Sequence, residues 1–412
     1  MKAYSGYQWL LIDIANQYGH DKLLFEDRIK WTTEHINELE SLADGAESKP
    51  LYLKAVMALR KALQGIPTGH LVGVDATCSG IQIMSALTGC IAGATATGLV
   101  DPNVRADAYT SVTKLMQNAL GTGFNVSRKD AKDALMTSFY GSKAKPKEIF
   151  GEDTPELNAF YAAAYQVAPG AWELLQDLLG SWKPFALSHS WKLPDGFDAK
   201  VKVMTRKEAR VEVDELDHAT FTYEFYVNEG SANGISLPAN VVHSVDAYIL
   251  RCIQRRCNYD LDAMKEASEI LDIEVNRRSI GLVPSWVDVS EEVLYYVDQY
   301  DRSSMADAVI LPWLTMDNVG YLSSEHINKL AEILKGMLAY KPFEVITVHD
   351  EFKCHANNVN HLRQQYINVM ADLAESHLLD DLLSQIRGTK GHFKKLSSTL
   401  GHHIRSSEYA LS

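Results

Sequence analysis

The sequence predicts an α+β fold. Amphipathic helical segments fill most of the chain, and alternating residues between Phe185 and Asn228 read as β-structure. Two short apolar runs, HLVGVD (70–75) and FEVITV (343–348), read as buried strands that each lead into an aspartate, Asp75 and Asp350. Acidic residues delivered by strands from distant parts of a chain suggest a site built on a sheet.

Taken in order, residues 24–46 and 50–65 have the apolar spacing of amphipathic helices. The Pro67-Thr68-Gly69 break precedes the first strand, and 78–90 reads as a helix after it. A helix is expected over 101–120, with Pro102 in its first turn. Ser127 is a candidate N-cap for a helix that stops at Gly141. Residues 155–180 read as helical. WKLPDGF (191–197) holds a Pro-Asp-Gly turn between β segments, and helical signals resume at 240–271 and 357–388.

Composition bounds the function. With 412 residues, 46% hydrophobic and 23% charged, the chain can bury a sizeable, subdivided core. It has no apolar run of about 18 residues, so no membrane span is expected, and its start is too short and broken for a signal peptide. Five cysteines are few and odd in number, which points to a reducing compartment. A net charge of −13 argues against a generic nucleic-acid coat protein. Positive charge is local, in 128–147 and in the tail from Arg387 to Arg405, as suits a phosphate-binding groove or a solvated face.

Three constellations carry chemistry. Asp75-Ala76-Thr77-Cys78-Ser79-Gly80 is a strand-end carboxylate followed by a small-residue turn, able to offer a carboxylate and a backbone carbonyl to a hard cation, though such an aspartate also reads as a helix cap. Arg128 and Lys132 lie roughly 40° apart on a helix and Tyr140 roughly 120° from Arg128, so all three can face one cleft. Two cations near a helix start suit a triphosphate, and an aromatic ring followed by a glycine suits a base or sugar. Val348-His349-Asp350-Glu351-Phe352 places charge at the end of an apolar run, which is unusual for a core strand unless the charge is paired or holds metal. Two carboxylates plus a cationic helix fit two-metal phosphoryl transfer.

These segments resemble the single-subunit RNA polymerases of phages and mitochondria. DATCSGIQIMSAL (75–87) is similar to the family's DGSCSGIQ-type motif, with Ala76 in place of the usual glycine. SRKDAKDALMTSFYGSK (127–143) resembles its R-x-x-x-K-x-x-x-M-T-x-x-Y-G-S-K helix, Val242-His243-Ser244-x-Asp246 its VHSxD stretch, and VHDEF (348–352) its HDSF-type motif. Weaker similarities run through 15–37, 191–197 and 404–412.

The resemblance implies the right-hand polymerase fold. The palm would be formed by 1–92 and 244–412, the fingers by 93–243, and an insertion would occupy roughly 252–335. It implies that Asp75, the Ala76 carbonyl and Asp350 bind two Mg2+ ions, that Arg128 and Lys132 hold the incoming triphosphate, and that Lys132 protonates pyrophosphate. Tyr140 and His243 would sense the ribose 2′-hydroxyl, Gly141 would lie close to the template base, His349 would support Asp350 or the primer end, and Tyr109 matches a tyrosine near the site. The expected function is RNA synthesis from ribonucleoside triphosphates on a DNA template in the cytoplasm of a bacterial host.

Two departures qualify this. Glu351 stands where the RNA polymerases carry a small residue and the related DNA polymerases carry glutamate, so a DNA polymerase or primase is the rival enzyme; an inactive nucleic-acid-binding scaffold is the rival from another class. No Asp-Trp-Arg-Gly-Arg segment occurs in the sequence, and the family's N-terminal promoter-reading region and thumb have no counterpart in it. The expectation is therefore either a truncated chain or, in preference, a split polymerase with a smaller second subunit, and with a promoter or single-stranded-DNA factor to recruit it.

Overall fold

Several helices begin where a side chain satisfies their free N–H groups. Ser5 and Gln8 exchange hydrogen bonds in a capping box that opens α1 (Gly6–Ala15). In this computed structural model, which describes residues 1–348 and 350–412, α2 (Phe25–Glu34) and α3 (Lys49–Leu63) follow. The helix expected over 24–46 is shorter. After Glu34 the chain tightens into a 3₁₀ run, Leu39–Gly45, which turns Leu39 and Ala43 into the core, and Tyr52 Oη donates to the Leu39 carbonyl at 2.8 Å. The segment between α1 and α2 is fixed by the buried Arg28, which donates to the Leu23 carbonyl, to Asn16 Oδ1 and to the Asp21 carbonyl.

β1 (Leu71–Asp75) turns Val72 and Val74 inward. Cys78 adopts φ 57°, a left-handed conformation that swings the chain directly into α4 (Ser79–Thr88), and α5 (Ile91–Ala96) follows. The helix expected from residue 101 starts only at Ala108. Asp101 closes a turn onto Asn103 N instead, and Asp107 caps α6 (Ala108–Leu120) by accepting from Tyr109 N and Thr110 N. α7 (Arg128–Ser138) begins as the sequence predicts: Ser127 accepts from Asp130 N at 3.0 Å, and Gly141 ends the segment with φ 91°.

α8 (Ala144–Phe150) leads to α9 (Pro155–Val167) and α10 (Pro169–Gly180). The single helix expected over 155–180 is divided because Pro169 forces Ala168 out of helical geometry, to φ −143° and ψ 68°. The expected β region forms two hairpins, β2 (Ser188–Lys192) with β3 (Asp198–Lys202), and the longer, exposed β4 (Met204–Val213) with β5 (Ala219–Asn228). α11 (Ser236–Cys257) and α12 (Leu261–Ser279) meet at Asp260, whose side chain caps α12 and so splits the helical stretch expected over 240–271.

α13 (Glu291–Ser303) and α14 (Ser324–Leu338) come next, followed by β6 (Ile346–Val348) and β7 (Glu351–His355). The chain closes with α15 (Val359–Glu375), α16 (Leu378–Arg387) and α17 (Leu400–Arg405). One correction concerns the second apolar run. It is a short edge strand with Ile346 and Val348 each 50% exposed, because the central position of the three-stranded antiparallel sheet, ordered β1-β7-β6, belongs to β7. β1 is the opposite edge.

The main core is built where α4 packs against α10, α11 and α15. A second hydrophobic core, from Met264 to Met337, is formed by α12, α13, α14 and the 3₁₀ turns between them. The two cores are tied by an ion pair: Arg255 on α11 reaches Asp307, beside Ala306 and Ala308 of the second core, at 2.6 Å.

Candidate active site

The sheet register builds the acidic floor. Asp75, the last residue of β1, pairs with Glu351, the first residue of β7, so Asp75 and Asp350 emerge at the same end of the sheet. Both line a cleft of about 1060 Å³, together with Ala76, Glu351, Arg128, Lys132, Tyr140 and His243. Burial and then the nearby Asp350 push the Asp75 carboxyl up to about 6, with Glu351 adding to the shift and Arg105 opposing it. The floor so formed is acidic, with Asp75, Asp350 and Glu351 all lining the cleft. Its oxygen donors fit a hard divalent cation such as magnesium.

The turn that presents Asp75 is braced from several sides. Its backbone exchanges hydrogen bonds with Ser412, at 3.3 and 3.0 Å, and Ala76 bridges to Leu411. The residues leading to that tail are held by the buried Arg363, which donates to the Leu411 carbonyl, and by Gln82, which donates to the Ala410 carbonyl. Thr77 accepts a hydrogen bond from Arg105. Cross-strand, Glu351 is 3.0 Å from Lys353 and lies over Gly73, where a Cβ would come within 2.3 Å of its carboxylate.

The opposite wall is α7. The guanidinium of Arg128 is 2.7 Å from Asp107 and sits over the Tyr109 ring at 5.4 Å, and Lys132 lies over the same ring at 5.8 Å. Burial alone would raise the Asp107 carboxyl, but its bonds from Arg128 and Thr110 hold it below the ordinary value. Tyr140 and His243 face each other with ring centroids 5.0 Å apart. Burial pushes the Tyr140 hydroxyl well up, so it stays protonated. Gly80 makes room for it: a Cβ there would lie 2.4 Å from the Tyr140 oxygen.

The cleft therefore gathers Asp75, Ala76, Asp350, Arg128, Lys132, Tyr140, His243 and Tyr109. Gly141 is not among its lining residues; it is buried with its α-carbon turned toward Ile235, Leu175 and Leu179. His349 lies outside the described residues. Lys145 and Lys147 pair with Glu148 and Glu152 and do not line the cleft, so only the first part of the basic run faces it.

The sequence reading missed Asp21, Lys22, Arg105, Asp107 and Ser412, all of which line the cleft. Asp107 was readable as an N-cap, two residues before Tyr109, but the helix expected from residue 101 hid it. Nothing local in the sequence signals Arg105 or Ser412, which reach the cleft through tertiary packing.

Strand-end carboxylates opposite a cationic and aromatic helix suit phosphoryl transfer on a nucleotide, and comparison with known proteins finds similarity to enzymes of that class. Residues 2–146 match the family described as DNA-dependent RNA polymerase. The chain is 26% identical over 342 residues to the DNA-directed RNA polymerase of Pseudomonas phage phiKMV, covering 69% of this chain and 41% of that protein. It is 33% identical over 172 residues to the mitochondrial DNA-directed RNA polymerase 1 of Arabidopsis thaliana, covering 33% of this chain and 18% of the relative. A mitochondrial DNA-directed RNA polymerase of Neurospora crassa is 29% identical over 164 residues. By these matches the chain is similar, over part of its length, to DNA-directed RNA polymerases of a phage and of mitochondria. It spans less than half the length of the relatives it matches. No helix among the described residues is long and apolar enough to cross a membrane.

Proposed function

We propose that this chain is the catalytic part of a DNA-directed RNA polymerase, which extends RNA on a DNA template with ribonucleoside triphosphates and releases pyrophosphate. The observation that carries the reading is the convergence, in one cleft, of Asp75 and Asp350 with Arg128, Lys132, Tyr140 and His243. Residues from both ends and the middle of the chain meet there, in the roles the family resemblance assigns them.

Two magnesium ions held by Asp75, the Ala76 carbonyl and Asp350 would lower the pKa of the attacking 3′-hydroxyl and neutralise charge on the transferring phosphate. The remaining work falls to side chains. Arg128 and Lys132 hold the triphosphate from α7, and Lys132 donates the proton that leaves with pyrophosphate. A positioned acid of this kind contributes about 10²–10⁴-fold. The protonated Tyr140 hydroxyl, set by Gly80 and backed by the His243 ring, reads the ribose 2′-hydroxyl.

In domain terms, 1–92 and 244–412 form the palm and 93–243 the fingers. The second core between Met264 and Met337 supports an inserted unit at about 252–335. A smaller second subunit carrying the thumb, as the resemblance implies, and action in the cytoplasm of a bacterial host are part of this proposal. A promoter or single-stranded-DNA factor belongs to the same proposal.

A DNA polymerase is the second reading, favoured by Glu351 beside Asp75 in the sheet. Extension of an RNA primer on a DNA template, with ribo- or deoxyribonucleotides and with or without the candidate second subunit, decides between them. Ribonucleotide incorporation supports the proposal. Deoxyribonucleotide preference supports the rival, and no synthesis with the subunit present removes both.

A further inference from the structure

Arg105 occupies a place in the cleft that none of the roles above explains. It lies two residues before Asp107, the carboxylate that both caps α6 and grips Arg128. Its Nη1 donates to the hydroxyl of Thr77, which is 9% exposed, and to the Ala106 carbonyl at 3.0 Å. Its Nε is buried without a hydrogen-bond partner, so this orientation carries a desolvation cost that the bond to Thr77 must offset. Burial lowers the Arg105 pKa, and the carboxylates of Asp21, Asp107 and Asp75 oppose that only in part.

The tripeptide 105–107 thus touches both halves of the site. One end fastens the turn after Asp75 through Thr77, and the other fastens the cationic helix through Arg128. The Ser412 and Leu411 backbone braces only Asp75 and Ala76. Without Arg105, the far side of the turn, at Thr77, loses its side-chain anchor.

We propose that Arg105 is a positioning residue for the metal-binding turn: its bond to Thr77 fixes the Asp75-Ala76 oxygen donors in the geometry that a divalent cation requires. This rests on the polymerase reading of the site only in taking Asp75 as a metal ligand. Divalent ions such as magnesium demand near-ideal ligand placement, so a loosened turn costs affinity even when every ligand remains.

The sign of the effect separates positioning from simple charge balance. A guanidinium beside an acidic cluster repels a cation, so removing it would tighten metal binding if charge were its only contribution. If Arg105 positions the turn, removing it weakens binding.

The test is binding of Mn2+ alone, followed by electron paramagnetic resonance, to the folded protein and to Thr77→Val, Arg105→Gln, the double variant and Asp75→Asn. Thr77→Val keeps the side-chain shape and the Arg105 charge, and melting curves confirm folding. The expected result is loss of binding in Asp75→Asn, roughly tenfold weaker binding in each other single variant, and no further loss in the double variant, since both act through one bond. Unchanged or tighter binding in Arg105→Gln, or additive losses in the double variant, overturns the proposal. Unchanged binding in Asp75→Asn overturns it as well. RNA synthesis measured in parallel, with the candidate second subunit present, keeps the two readings apart: a wild-type protein that binds Mn2+ through Asp75 and yet makes no RNA in that complex defeats the polymerase reading alone.

Discussion

Asp107 caps α6 with one carboxylate oxygen, and with the other it holds the Arg128 guanidinium at 2.7 Å. A residue that starts one helix therefore fixes the leading cation of the next, and the wall that faces the acidic floor is set by a single side chain.

The two tasks can be separated by substitution. Asp107→Asn keeps the N-cap acceptor oxygen and removes the charge, so melting temperature should change little while the nucleotide KM rises about fivefold, the equivalent of about 1 kcal/mol. Asp107→Ala should add about 1 kcal/mol of lost stability. Steady-state kinetics beside thermal melts check both, and an Asp107→Asn enzyme with unaltered KM would remove Asp107 from substrate binding.

Gly80 is expected to act through Tyr140. Its missing Cβ leaves the space that the Tyr140 oxygen fills, at 2.4 Å from where that carbon would be. Gly80→Ala should displace the hydroxyl, and Tyr140→Phe should delete it. Both should lower discrimination between ribo- and deoxyribonucleotides by about tenfold or more, a loss in the range of a site that hydrogen-bonds the missing hydroxyl. The ratio of kcat/KM for the two sugars is the measurement. Preserved discrimination in Tyr140→Phe would move sugar choice elsewhere.

The second core should be sensitive to acid. His326 is buried there and stacked on Tyr300 with centroids 3.8 Å apart, and burial and then Lys329 lower its pKa from 6.5 to about 3. Because the folded value lies below the unfolded one, the unfolded chain binds more protons between these limits. The contribution of neutral His326 is complete above about pH 6.5 and is lost as pH falls toward 3, at about 1.4 kcal/mol per unit. His326→Phe should flatten this acid limb in melting curves taken from pH 7 to pH 4. An unchanged limb would show that His326 does not set it.

Much of this was legible in the sequence, and the misses have physical causes. Ser127, Gly141 and the Pro-Asp-Gly turn act locally, so helix α7 and the β2–β3 hairpin could be placed from their own residues. The acid pair and the cationic helix were readable from their places after apolar runs and at helical spacing together with the family resemblance; residue type alone also fitted a helix cap or a solvated face. Strand order was not, since the central position of β7 depends on pairing with β1 across the whole chain. The same holds for the bracing of Asp75 by Ser412 and of Thr77 by Arg105, which link residues remote in sequence. The start of α6 was missed for a simpler reason: Pro102 suits a first turn, but Asp107 offers the better cap.

The most direct measurement is ribonucleotide incorporation on a primed DNA template by the wild-type protein, supplied with its candidate second subunit, beside Asp75→Asn and Asp350→Asn. Both variants keep the side-chain shape and remove only the charge. The expected result is synthesis by the wild type and a loss of at least about 10³-fold in each variant with melting temperature preserved, as befits removal of an interaction made at the reacting phosphate. Full synthesis by either variant would contradict the assignment of these two aspartates as the centre of the site.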